Sequence, residues 1–129
     1  MRIFKTKEFN RFARKRKISD DDLCTAIARA ERGLIDASLG SGLIKQRIPR
    51  QGQGRSGGFR TIIAYLAGDR CFFIYGFAKN ELDNIADDDL VDVKSYASAL
   101  MIMDATLIAA AIKARKFEEV ECDGSEIPE

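Results

Sequence analysis

Residues 59–77 read FRTIIAYLAGDRCFFIYGF: one β-rich run, Phe59 to Leu66, the turn Ala67-Gly68-Asp69, and a second β-rich run, Cys71 to Phe77. Branched and aromatic residues on both sides of a Gly-Asp turn are a strong hairpin signal. Upstream, Leu43 to Ile48 alternates, with Lys45 and Arg47 on one face and Ile44, Gln46 and Ile48 on the other, as a strand requires. Three antiparallel strands are therefore expected at the centre of the chain, the first two joined by a loop rich in Gly and polar residues.

Helical patterns flank this block. Arg2 to Lys5 suits a short strand, and a basic helix follows from about Lys7 to Arg16, with Phe9, Phe12 and Ala13 at i, i+3, i+4. Ser19 with Asp22 three positions on resembles a capping box, which opens a second helix to about Arg32, closed by Gly33. Leu23, Ile27 and Ala30 would pair it with the first helix as an αα-hairpin. After the strands, Asn84 is a possible cap and the acidic run Asp87 to Asp89 suits a helix N-terminus better than a metal site. Leu90, Val93, Ala97, Leu100, Asp104, Leu107, Ala111 and Ala114 then predict one helix of about seven turns to Lys116, with Asp104 as its polar exception. That helix either packs on the sheet as core or offers Leu100, Met103 and Leu107 to a partner. One domain over residues 1–116 with an acidic, flexible tail over 117–129 is the expected organisation.

Composition removes several classes of function. The 129 residues include no histidine, so His-based triads and nearly all catalytic zinc sites are out. The cysteines, Cys24, Cys71 and Cys122, are odd in number and lack a C-x-x-C spacing, so neither a disulfide framework nor a structural metal is expected, and a reducing cytoplasm fits. Cys71, beside Phe72 and Phe73, reads as a small buried hydrophobe. No apolar stretch approaches the length of a membrane span.

Charge is unevenly spread. Residues 45–79 carry Lys45, Arg47, Arg50, Arg55, Arg60, Arg70 and Lys79 against Asp69 alone, while the last third of the chain is strongly acidic. The central strands are thus a candidate polyanion-binding surface. Gly52 to Gly57 matches G-x-G-x-x-G, yet β-rich sequence follows where the dinucleotide fingerprint needs a helix. The glycines are better read as letting backbone approach a phosphate beside Arg50 and Arg55, the plain alternative being a connector.

The stretch IKQRIPRQGQGRSGGFRTIIAYLAGDRCFFIYGFAKNELDNI, residues 44–85, resembles the RelE/HigB-like superfamily of bacterial type II toxins. The resemblance rests on the Gly-rich loop, Gly58-Phe59-Arg60-Thr61, the Gly68-Asp69-Arg70 turn and Phe77-Ala78-Lys79, and the order of elements matches over about residues 1–110. It implies a small α+β fold: a curved, mostly antiparallel sheet with an N-terminal helical hairpin, a C-terminal helix, and helices on one side. It also implies mRNA cleavage in the ribosome, a cognate antitoxin, commonly of helix-turn-helix type, and no small-molecule cofactor or membrane.

By the same resemblance Lys45 and Arg47 match the basic pair around the reactive phosphate and 2′-hydroxyl, Arg60 the arginine that stabilises phosphate charge, and Lys79 the basic residue after the last hairpin strand. Arg50, Arg55, Gly57, Gly58, Tyr75 and Asn80 complete the candidate RNA-binding set. Internal RNA transfer needs a base for the 2′-hydroxyl, stabilisation of the phosphorane and an acid for the 5′-oxygen, all within reach of clustered cations. Lys45, crowded by Arg47, is the candidate base. Tyr75 and Tyr65 either stack on a base or belong to the core. Asn80 stands where catalytic relatives carry an arginine, and no downstream tyrosine matches theirs. Two alternatives therefore stay open: a ParE-like inhibitor of DNA gyrase, and a degenerate member that only binds antitoxin or RNA.

Overall fold

The computed structural model describes residues 1–50, 54–78 and 87–122; for Arg50, residues 54–57 and Asp87 it describes the backbone alone. Its elements are β1 (Arg2–Thr6), α1 (Lys7–Arg16), α2 (Asp20–Glu31), β2 (Ala37–Gly40), β3 (Leu43–Arg50), β4 (Gly54–Leu66), β5 (Arg70–Ala78), α3 (Asp87–Met101), α4 (Ala105–Lys113) and β6 (Phe117–Val120). The strands form one sheet in the order β2-β3-β4-β5-β1-β6, antiparallel except where β1 lies parallel to β5. The architecture is α+β and RelE-like, as expected.

Each sheet face carries its own core. On one, Phe9, Ala13, Leu23, Ile27 and Ala30 of α1 and α2 pack on Ile3, Ile44, Ile48, Phe59, Ile63 and Phe73. On the other, Ala97 and Leu100 of α3 and Ile108 and Ala111 of α4 pack on Phe4, Leu43, Ile62, Ala64 and Phe72. Helices thus cover both faces, not one. A sheet whose strands read Ile-Ile and Phe-Phe at adjacent positions is apolar on both sides and must be covered on both. The C-terminal helical region is core, with Leu100 buried, although Leu107 remains exposed.

Local chemistry explains the start of each N-terminal helix. Thr6 accepts a hydrogen bond from the Phe9 amide, and Ser19 forms a reciprocal capping box with Asp22. The single long C-terminal helix is not formed. It divides into α3 and α4, bent by 115°, because Asp104 is an N-cap: its carboxylate accepts from the Leu107 amide at 2.8 Å. The polar exception in the apolar stripe was a helix start.

Three further expectations are corrected. The strands run into the Gly-rich segment, pairing Arg50 with Gly54, so the long loop is mostly ladder, and Gly54 to Gly57 precede no helix. The expected tail begins inside the sheet, where β6 pairs antiparallel with β1 and buries Phe117 and Val120. Cys24 and Cys122 form a disulfide, which ties the buried face of α2 to the segment after β6; the expectation of no disulfide fails because sequence spacing does not report spatial approach. Cys71 is a free, fully buried thiol whose pKa burial pushes up. No helix is long and apolar enough by itself to cross a membrane among the described residues.

Candidate functional site

The register of β3 against β4 sets Lys45 opposite Ile62 and Arg47 opposite Arg60, and β5 places Tyr75 beside Ile62 and Phe77 beside Arg60. Two cross-strand rows result, Lys45-Ile62-Tyr75 and Arg47-Arg60-Phe77, on the face that α3 and α4 cover further along. Lys45, Arg47, Arg60 and Tyr75 are all half-buried. Lys45 and Arg60 are diagonal neighbours, about 7 Å apart at Cβ.

A bulge in β5 brings Tyr75 to this face. Ile62 pairs with Tyr75 but Ile63 with Phe73, so Ile74 is the extra residue. Before the bulge, Phe72 shares the arginine face and Cys71 and Phe73 the other; after it, Tyr75 and Phe77 join the arginines and Gly76 turns to Phe12. Bulges re-aim side chains in this way. Tyr75, its ring 5.9 Å from that of Phe77, also lines a cavity of about 580 Å³ with Ile74, Val93 and Tyr96. Tyr65 belongs to the opposite face and is not part of this group.

The backbone beneath the arginines is held from behind. Gln46, fully buried, donates from Nε2 to the carbonyls of Ala26 (3.0 Å) and Leu34 (3.2 Å), and its Oε1 accepts from the Asp36 amide at 2.8 Å. Thr61 Oγ1 donates to the Gln46 carbonyl. Asp36 Oδ2 accepts from the Arg47 amide at 2.6 Å, and Arg29, paired with Asp36, donates to the Arg47 carbonyl at 3.1 Å. Arg29, Asp36, Gln46 and Thr61 thus fix the strand from which Lys45 and Arg47 project. The sequence put Gln46 on the correct face; Arg29 and Asp36 carried no local signal, since their role depends on how α2 and the segment before β2 meet β3.

In contrast, the charged face has no counterion among the described residues. Buried Nε of Arg47 and buried Nη1 of Arg60 have no hydrogen-bond partner, and neither residue forms an ion pair among the described residues. Like charges directly opposite across strands destabilise a sheet, and an unsatisfied buried donor costs roughly 1–3 kcal/mol. An anion bound at the exposed part of either guanidinium would relieve the like-charge repulsion.

Gly58, next to Arg60 but one, permits close approach of the strands: a Cβ there would lie 2.7 Å from the Ile48 carbonyl oxygen and 3.4 Å from Arg47 Cγ. Its glycine is required by packing against β3 beside Arg47. Gly57 lies within β4, and Arg50 and Arg55 lie on β3 and β4 with only their backbones described. Lys79 and Asn80 lie outside the described residues. Among the described residues no cluster of three acidic or cysteine side chains could hold a metal.

A small α+β domain that places unpaired cations on one end of a mostly antiparallel sheet defines the class. Residues 1–120 match the family model described as the RelE toxin of the RelE/RelB toxin-antitoxin system, and the chain belongs to that family. It is thereby a toxin of a type II toxin-antitoxin system, which implies a cognate antitoxin as partner. No curated protein matches the chain.

Proposed function

We propose that this toxin is a ribosome-dependent mRNA endoribonuclease that inhibits translation in the cytoplasm, using lysine and arginine without metal or small-molecule cofactor. Arg47 and Arg60, opposed across β3 and β4 and without an ion-pair partner among the described residues, carry the proposal. The scissile phosphate occupies the space between the two guanidinium groups. Lys45 takes the proton of the 2′-hydroxyl, whose oxygen attacks phosphorus; the extra negative charge of the phosphorane falls on Arg47 and Arg60; the bond to the 5′-oxygen breaks as that oxygen takes a proton from water. The products are a 2′,3′-cyclic phosphate and a 5′-hydroxyl end.

Tyr75, which the bulge brings to the face of Arg47 and Arg60, stacks in this proposal on a neighbouring base. By the resemblance, Arg50, Arg55, Gly57, Gly58, Lys79 and Asn80 complete the RNA-binding set. Because the sequence lacks the arginine and the tyrosine that catalytic relatives carry near Asn80, orientation of the mRNA falls to the ribosome, where positioning alone supplies orders of magnitude in rate.

Mapping mRNA 5′ ends after brief induction tests this. New 5′ ends within translated codons, absent with Arg60→Ala, are expected. Gyrase-dependent DNA breaks with intact mRNA would overturn the proposal, as would growth arrest that persists in full with Arg60→Ala.

A further inference from the structure

β6 is an edge strand, and its hold on β1 is short. The ladder runs only from Ile3–Val120 to Thr6–Phe117, crossed by one partly exposed ion pair, Arg2 with Glu119, and its buried anchors are Phe117 and Val120. A short edge segment near a chain end opens readily unless it is tied down. The two ends of this one are tied in different ways. Before β6, the Lys7 amide donates to the Lys116 carbonyl at 3.0 Å. After it, two residues past Val120, Cys122 is bonded covalently to Cys24 of α2. That helix is a fixed post, started by the Ser19–Asp22 capping box and buried along Leu23, Cys24, Ala26 and Ile27.

The two bonded residues differ in access. Cys24 is 1% exposed, whereas Cys122 is half-buried at the rim of the same core. The third cysteine is no substitute for either at this edge. Cys71 pairs with Ile3 on β1, and Ile3 pairs with Val120 on β6, so two strand spacings, about 10 Å, separate Cys71 from β6. A disulfide needs Cα atoms within about 7 Å, and those of Cys24 and Cys122 are 5.9 Å apart. Cys71 is also fully buried, and burial pushes its thiol pKa up, so it offers no competing thiolate. The chain thus has one bond, with one approachable partner, between a rigid helix and a short edge strand.

We propose that Cys24–Cys122 is a redox latch, opened and closed by thiol–disulfide exchange at Cys122, that decides whether β6 stays on the β1 edge. In closing, the Cys122 thiolate attacks a small-molecule disulfide and expels one thiol; the Cys24 thiolate then attacks the Cys122 sulfur and expels the second. Two cysteine thiols are oxidised, the external disulfide is reduced to two thiols, and the cysteine protons end on those thiols. Opening runs the same steps backward, with an external thiolate attacking Cys122 and Cys24 as the leaving thiol. The latch lies on the α1–α2 side of the sheet, away from Arg47 and Arg60, so it governs how long the C-terminal end stays folded and resists proteolysis, independently of any nuclease activity.

The test equilibrates the full chain with oxidised glutathione or with dithiothreitol, without denaturant, and then applies a brief digestion with a glutamate-specific protease. Glu118 and Glu119 report on β6, and Glu8 reports on α1. Reduction should speed the cuts at Glu118 and Glu119 about tenfold or more, with little dependence on low urea, while the cut at Glu8 keeps the steeper urea dependence of global unfolding. Cys122→Ser should be cut fast in both buffers, and alkylation of the reduced native chain should label Cys122 far faster than Cys71. A bond that dithiothreitol reduces only after unfolding would overturn the latch, as would equally slow β6 cuts in both buffers. So would β6 cuts that appear only with the Glu8 cut and share its urea dependence, because the bond would then be a plain staple.

Discussion

The two faces of the sheet treat polar groups in opposite ways. Beneath α1 and α2, Gln46 is buried with both ends of its amide hydrogen-bonded, Lys5 is paired with Asp20, and Cys24 is bonded to Cys122. One residue along β3, on the other face, Arg47 stands opposite Arg60 and each leaves a buried nitrogen without a partner among the described residues. A strand that alternates faces every residue satisfies its polar groups on one side and leaves them open on the other. The first side holds the fold; the second is available to an anion, and mutations on the two sides should separate stability from activity.

The largest effect is expected on the satisfied side. Closing a loop of 98 residues, the Cys24–Cys122 bond should contribute about 4 kcal/mol. Chemical denaturation of Cys122→Ala, or of the reduced protein, should show that loss, while the cleavage rate of the folded protein is unchanged.

On the open side the outcome reverses. Arg60→Ala should lower the cleavage rate by about 100- to 1000-fold, the range for losing one transition-state donor. Its melting temperature should hold or rise, because a like-charge pair and an unsatisfied donor disappear together. A parallel fall in stability and rate would erase the contrast between the faces.

Gln46→Leu tests the link between them. It leaves the Asp36 amide and the carbonyls of Ala26 and Leu34 without Gln46, for about 2–3 kcal/mol of stability. It should also slow cleavage, by loosening the backbone that Asp36 and Arg29 grip at Arg47.

The smallest effect concerns the sheet edge. The Arg2 side chain, hydrogen-bonded to Glu119, holds the Glu119 carboxyl below the ordinary carboxylate range. A depressed folded pKa stabilises above the unfolded pKa, near 4.3, and that contribution is lost as pH falls through the folded value. Both partners are partly exposed, so about 0.5 kcal/mol is at stake. Glu119→Gln should remove that acid-side dependence and leave stability above pH 6 lower by the same small amount.

Much of the fold was legible because its signals are local. Ser19 and Asp22 announce a capping box, Gly68 a turn, and alternation from Leu43 to Ile48 gives the correct face to Lys45, Arg47 and Gln46. What escaped depends on distant partners. Ala37–Gly40 has little β propensity and becomes a strand only beside β3, and the acidic Phe117–Val120 is a strand only because β1 offers an edge. Asp104 carried a cap signal, obscured by the apolar stripe around it. Tyr75 was singled out, but its face depends on the bulge at Ile74, which a one-residue register shift conceals from any period-two pattern. The positioning pair Arg29 and Asp36 lies 7 residues apart in sequence and meets Arg47 only through the tertiary fold.

If the arginine pair on β3 and β4 binds and cleaves mRNA held in the ribosome, the chemistry of the cut ends reports it. Purified toxin should be added to ribosomes programmed with a defined message, and the fragment ends read directly. A 2′,3′-cyclic phosphate on the upstream fragment and a 5′-hydroxyl on the downstream one, produced by the wild type and lost with both Arg47→Ala and Arg60→Ala, is the predicted result. Intact message, or cleavage that survives removal of both arginines, would contradict it.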